Sequence, residues 1–187
     1  MLSKYLQKAI LFSVLHRIDV DLANQRRQEG CPFCGDGPLH WANYPRKPRG
    51  GPSSLPEGYS IRYSLCCGRE GCRRRTLPPS CLFLGRKVYW SMVILVVMVL
   101  RQARPRGAST RELMRTFGID RKTLFRWIAY FRDVFPESSK WQRLRGRVSS
   151  QVKDSRLPAD LLEYFFQHSN CPPDEGLIAC LRFLASG

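Results

Sequence analysis

Two stretches of the chain carry thiols at the spacing of metal ligands. They are Cys31-Pro-Phe-Cys34-Gly35 and, further on, Cys66-Cys67-Gly68-Arg69-Glu70-Gly71-Cys72. Cysteine ligates as its thiolate, and small structural zinc sites take four ligands as two pairs, each on its own tight turn. Cys31 and Cys34 make the first pair, with Pro and Gly suited to a turn whose N–H groups face the sulfurs. Cys72 with either Cys66 or Cys67 makes the second. Ile61, Tyr63 and Leu65 alternate with Arg62 and Ser64 as a short strand does, which puts Cys67 on their face and Cys66 opposite. Turns break alternation, so Cys66 stays open as the competitor of Cys67. With enough cysteines present, His40 reads as a loop histidine. A catalytic zinc keeps one position open and usually takes His or carboxylate ligands. The expected ion is therefore a structural Zn2+ that folds a segment with too little core of its own. Cys81, Cys171 and Cys180 sit among apolar residues and read as buried thiols.

The second feature is charge. The 187 residues hold 31 Lys and Arg against 15 Asp and Glu, a formal net charge of +16. Residues 81–150 carry fifteen bases and four acids, whereas 151–187 carry three and five. A basic excess concentrated in this way points to a polyanionic partner, above all nucleic acid. Arg73, Arg74 and Arg75 leave the second cysteine turn directly. Arg46, Lys47 and Arg49 lie in the proline- and glycine-rich loop Tyr44–Gly58, which reads as a basic arm. Both tracts flank the same metal, so they are candidate phosphate contacts.

A third signal lies between Ser109 and Phe135. Ser109 or Thr110 caps a first helix that has Glu112 in its opening turn, and Leu113, Met114 and Phe117 form its inner face. Gly118 ends it, Ile119 plugs the gap, and Asp120 caps a second helix that turns Leu124, Trp127 or Ile128, and Phe131 inward. That is helix-turn-helix spacing. Arg121, Lys122, Thr123 and Arg126 then lie on the exposed N-terminal face that such modules put into the major groove, with Arg111 and Arg115 placed for phosphates.

These groups need elements to hold them. Residues 3–24 show the periodicity of an amphipathic helix, and Gln25–Gly30 ends it. Val88–Arg101, apolar almost all round, reads as a buried helix, and two amphipathic pieces at Leu161–His168 and Glu175–Leu184 follow. Val88–Leu100 is thirteen residues, too short to span a bilayer. The expected fold is mostly α with a small β zinc ribbon, the ribbon being followed by a helix-turn-helix bundle. Its parts are an N-terminal helix (1–28), the ribbon with its basic loop (29–80), the helix-turn-helix (81–135) and C-terminal helices (136–187).

The run from CPFCG through YPRKPRGGPSSLP and SLCCGREGCRRRTLPPS to FLGRKVYW resembles small bacterial transposase-like proteins. It is similar, more loosely, to the zinc-ribbon and helix-turn-helix front end of insertion-sequence transposases. That resemblance implies DNA site recognition at a mobile element, with Cys31, Cys34, Cys67 and Cys72 as ribbon ligands and Arg121, Lys122, Thr123 and Arg126 on the recognition helix. It also implies a bacterial, cytoplasmic, nucleoid-associated protein. The acids beyond residue 135 are too few and scattered for the two-metal catalytic centre of a transposase. The expected function is thus a non-enzymatic, sequence-specific binder of double-stranded DNA, accessory or regulatory in transposition. Its further partner would be a recombinase, a transposase or a second copy of itself. Two alternatives stand beside it: an RNA- or single-strand binder that stacks bases on Trp41, Tyr44, Tyr59 and Tyr63, and a zinc-folded protein-interaction adaptor.

Overall fold

The computed structural model describes residues 8–103, 109–168 and 172–186, and they fall into two compact units, 8–90 and 91–186. The four-part division expected from composition is therefore replaced. The N-terminal helix belongs with the cysteine segment, and 91–186 form one helical unit. Helices dominate, beside small sheets of short strands.

In the first unit, α1 (Ala9–Gln28) turns Leu11, Phe12, Leu15 and Ala23 inward. Its expected start before residue 8 lies outside the described residues. It also runs past residue 24, because Gln25, Arg26, Arg27 and Gln28 are good helix formers whose charges stay in solvent on the last turn. Three short strands, β1 (Leu39–Trp41), β4 (Leu65–Cys67) and β5 (Arg75–Thr76), make an antiparallel sheet in the order β1-β4-β5. A second ribbon pairs β2 (Tyr44–Pro45) with β3 (Ile61–Arg62). The single strand expected through residues 61–65 thus divides between two sheets. Arg62 and Ser64 are buried in place of Ile61 and Tyr63, so the alternation breaks there. It resumes at Leu65 and Cys67, which share the inner face.

A buried carboxylate fastens α1 to the end of this unit. Asp19, 2% exposed, accepts the Ser80 hydroxyl, the Cys81 N–H at 2.6 Å and the Leu82 N–H at 3.4 Å. Ser80 in turn accepts the Phe83 N–H at 3.0 Å, so one side chain fixes a whole turn. Beyond it, Phe83 and Trp90 bridge, and Trp90 stacks on Phe83 and meets the edge of Phe12, each at 5.3 Å. Tyr89 and Trp90 consequently belong to bridged extended backbone, with Val88 in the bend before them, and none of the three joins the long helix expected from Val88 onward. Tyr and Trp are β-favouring residues, and here each is buried.

The second unit centres on α2 (Ser91–Gln102), whose residues Ser91–Met98 are all buried. It packs against α3 (Thr110–Phe117), α4 (Arg121–Ala129), α6 (Ala159–His168) and α7 (Pro173–Ala185). Such all-round apolarity belongs to a helix enclosed on every side. The turn Gly118–Asp120 joins α3 to α4, and α4 runs on through a wider π-type turn at Tyr130–Val134. Phe131, Phe135, Trp141 and Leu144 on these turns and α5 (Ser139–Arg145) complete the core. The indole N–H of the fully buried Trp141 donates to Asp154 at 2.9 Å. Gln102 ties α2 to the start of α6, donating to the Leu157 carbonyl and accepting the Ala159 N–H. Cys81 and Cys180 are buried as expected, and Cys171 lies outside the described residues. No helix among the described residues is long and apolar enough to cross a membrane.

Asp19 gives the first unit a pH dependence. Burial raises its pKa from the ordinary 3.8 to about 6, against the hydrogen bonds from Ser80, Cys81 and Leu82 and the Arg62 guanidinium, which pull it down. The folded form therefore binds a proton that the unfolded chain has already released. This contribution is full below the unfolded pKa and is lost as pH rises through about 6. Asp19→Asn removes the titration. The wild type should lose on the order of 3 kcal/mol relative to the variant between roughly pH 4 and pH 6. Urea unfolding of both proteins across that range measures it, and parallel pH profiles would contradict the assignment.

Candidate functional site

The side chains of Cys31, Cys34, Cys67 and Cys72 converge, and their four sulfur atoms all lie within 4.8 Å of one another. Two local turns present them. In the first, the Gly35 N–H returns to the Cys31 carbonyl at 2.9 Å. In the second, the Cys72 N–H returns to the Arg69 carbonyl at 3.1 Å, and the Arg69 N–H points at the Cys67 sulfur at 3.4 Å. Sheet pairing locks the two turns together: Leu39 stands opposite Cys67, and the Gly68 N–H donates to the Pro38 carbonyl at 2.8 Å. Cys31, Leu39, Leu65 and Cys67 form one buried cluster, with Cys34 and Cys72 packed against it.

This donor set fits a tetrahedral cation. Sulfurs around zinc at about 2.3 Å stand about 3.8 Å apart. The Cys31–Cys72 and Cys34–Cys67 pairs are separated by 3.8 and 3.7 Å. Charge points the same way. Burial opposes ionisation of Cys31, but N–H donation from Phe33 and Cys34 and the nearby Cys34 and Cys67 thiols prevail and bring its pKa down to about 7. At Cys67, burial outweighs N–H donation from Arg69 and, with the Cys34, Cys31 and Cys72 thiols, pushes the pKa up to about 12. Cys31 thus ionises readily while Cys67 resists, and a bound cation would favour the thiolate form of all four.

Cys66 is not part of the cluster. It stands on the opposite face of β4, opposite His40 and Arg75 in register, and its thiol donates to the Arg73 carbonyl at 3.4 Å. Of the two cysteines that the spacing left open, Cys67 joins the sulfur cluster and Cys66 does not, because β4 resumes its alternation.

The basic residues divide by role. Arg73, Arg74 and Arg75 are exposed and leave the second turn as expected. Lys47 and Arg49 are exposed too, but Arg46 departs from the expected arm. Its guanidinium donates to the Gly85 and Lys87 carbonyls at 2.9 and 2.8 Å and lies over the Phe83 ring at 5.1 Å. The Arg49 backbone bonds Val88 and Trp90, and a Cβ on Gly51 would meet the Trp90 indole at 2.5 Å. The start of the proline-glycine loop is thus packed down, with the Arg46 guanidinium and the Arg49 backbone holding the 83–90 segment. The expected stacking tyrosines are similarly engaged: Tyr59 stacks on His16 at 4.5 Å, and the Tyr63 hydroxyl shares a 3.0 Å hydrogen bond with His16 Nε2.

In the second unit both helix starts are capped. The Ser109 hydroxyl accepts the Glu112 N–H while the Glu112 carboxylate accepts the Ser109 N–H. The Asp120 carboxylate accepts the Thr123 N–H at 2.8 Å and its hydroxyl at 2.6 Å, which holds its pKa below the usual carboxylate range. Gly118, at φ 58° and ψ 37°, takes the left-handed conformation that ends α3, and Ile119 fills the space behind it at 2% exposure. Leu113, Leu124 and Trp127 are buried, whereas Arg111, Arg115, Arg121, Lys122 and Arg126 are exposed and Thr123 is half-buried. Sequence reasoning missed Phe125, a solvent-facing ring in the middle of this face with the Arg121 guanidinium 5.5 Å from its centroid. The signal was an aromatic at a position where the helical period puts solvent.

Gly37 sits against the sulfurs, and a Cβ there would lie 2.5 Å from Cys67 Sγ and 2.8 Å from Cys34 Sγ. Gly37→Ala must therefore part the cysteine turns, at a cost of roughly 1–3 kcal/mol. Gly58→Ala, where a Cβ meets nothing within 4 Å, serves as its near-neutral control in denaturant unfolding. Compared with known proteins, the chain matches no family model, no curated protein and no solved structure.

Proposed function

We propose that this chain is a non-enzymatic, zinc-containing, sequence-specific DNA-binding protein. In this reading the four thiolates hold one structural Zn2+, α3 and α4 are a helix-turn-helix, and α4 reads base edges in the major groove. The observation that carries the reading is the join between α3 and α4. A capping box, a left-handed glycine, a buried plug residue and a second capped start follow one another in eleven successive positions, 109 to 119, and the next residue, Asp120. They leave Arg121, Lys122 and Arg126 on the outer face of α4. Arg and Lys reach guanine O6 and N7, and Phe125 suits a thymine methyl group. Arg111 and Arg115, exposed one turn apart on α3, suit the flanking phosphates. A role as accessory or regulatory protein in transposition, with a recombinase as partner, extends this by the motif resemblance.

Two experiments test it. Zinc analysis of the purified protein should find one ion per chain, lost in Cys67→Ser and retained in Cys66→Ser. Equal zinc in the two variants would refute the ligand set. On a site selected from random duplexes, Arg121→Ala and Arg126→Ala should each weaken specific binding by ~1–3 kcal/mol and relax the preference at their base positions. Unchanged affinity in a shift assay would remove α4 from the groove.

A further inference from the structure

Three solvent-facing or half-exposed rings in the first unit each carry an arginine. Arg74 lies over Phe33 at 5.2 Å, Arg27 over Trp41 at 5.6 Å, and Arg75 over Tyr44 at 5.8 Å. Phe33 is 51% exposed and Trp41 41%, and Phe33 stands between two cysteines of the sulfur cluster, on backbone that cannot move aside. A fourth arginine in residues 8–90, Arg46, lies over the buried Phe83, whereas the other three rings are open to solvent at least in part.

Backbone strain marks the same tip. Arg73, directly after Cys72, is the one non-glycine residue with positive φ, at 46°, among the described residues. Glycine would adopt that conformation without penalty. Arg73 is exposed there, next to the exposed Arg74.

We infer that the unit formed by residues 8–90 binds unpaired DNA nucleotides, stacking their bases on Phe33, Trp41 and Tyr44 while Arg73, Arg74, Arg75 and Arg27 meet the phosphates. Each ring keeps some surface open to solvent beside its arginine, and that surface is what a base would cover. Only an unpaired base can use it, because in a duplex both faces of every base are covered by its neighbours. Alternating aromatic and cationic groups are the chemistry of single-strand recognition, tolerant of sequence because every base has a π-face. The choice of DNA rests on the duplex-reading role proposed above.

The test uses the full-length, zinc-loaded protein and fluorescence anisotropy with a labelled oligothymidylate of about 20 nucleotides. A blunt mixed-sequence duplex and an oligouridylate of equal length are the comparison probes. Phe33→Ala and Trp41→Ala should each weaken oligothymidylate binding about 5- to 100-fold, and Phe33→Tyr should retain it. Arg121→Ala should leave it unchanged while reducing duplex binding, so failure of the duplex reading shows in a different arm. Arg73→Gly relieves the strained backbone. It should raise the melting temperature and still weaken the single-strand complex, an outcome that a purely structural Arg73 does not produce. Absence of saturable oligothymidylate binding overturns the inference, as does full affinity in Phe33→Ala or tighter binding of oligouridylate.

Discussion

The interior of the cysteine segment is made of four sulfurs and two leucines. Cys31, Cys34, Cys67 and Cys72 close around Leu39 and Leu65, and no large apolar side chain joins them there. The strands around this interior are two or three residues long, far too short to hold a sheet together by backbone pairing alone. Everything the segment displays depends on the sulfurs staying together: Phe33 between the first pair, the arginines after the second, and the register that seats Leu39 opposite Cys67. A bound cation would be both the charge that lets four thiolates coexist and the missing volume of the core.

The second unit solves the same problem by burial. α2 supplies a helix whose buried face extends all round, and α3, α4, α6 and α7 cover it. Stability there comes from ordinary apolar packing, supplemented by side-chain caps at the starts of α3, α4 and α5. Surface positions on α3 and α4 are released from structural duty, and Arg121, Lys122 and Arg126 occupy them without engaging the core. The first unit has less freedom. Arg46, Arg62, Asp19 and His16 are polar residues occupied in holding loops, because there is too little hydrocarbon to do so.

What the sequence revealed follows from this contrast. The cysteine pairs, the caps of α3 and α4, the left-handed Gly118 and the inward phase of Leu113, Leu124 and Trp127 are all local. Each is written in residues a few positions apart, where spacing is informative. Asp19 on its amphipathic helix looks like any solvated acid, and nothing near it in sequence announces Cys81 and Leu82 as its partners. Arg46 sits in a run with every mark of a free arm, yet its guanidinium is claimed by carbonyls some 40 residues later. Tyr89 and Trp90 carry the hydropathy of the helix that follows, and only their bridging to the segments before shows them to be extended. Long-range pairings leave no periodic trace, and those are the features that composition misjudged.

The span of these contacts has a consequence in time. The sulfur pairs close over 41 and 33 residues, and Asp19 reaches 62 residues ahead to the Cys81 amide. Loops of that length make slow folding steps relative to the hairpin of α3 and α4, whose contacts are nearly all local. On the ribosome, Cys31 and Cys34 emerge well before Cys67 and Cys72 exist, and the turn that Asp19 secures comes later still. Nascent chains therefore carry two uncommitted thiols while the 33 residues up to Cys67 are made. Were a cation to close the cluster, its supply and the redox state around the exit tunnel would bear on the yield of closed protein beside the stability of the fold.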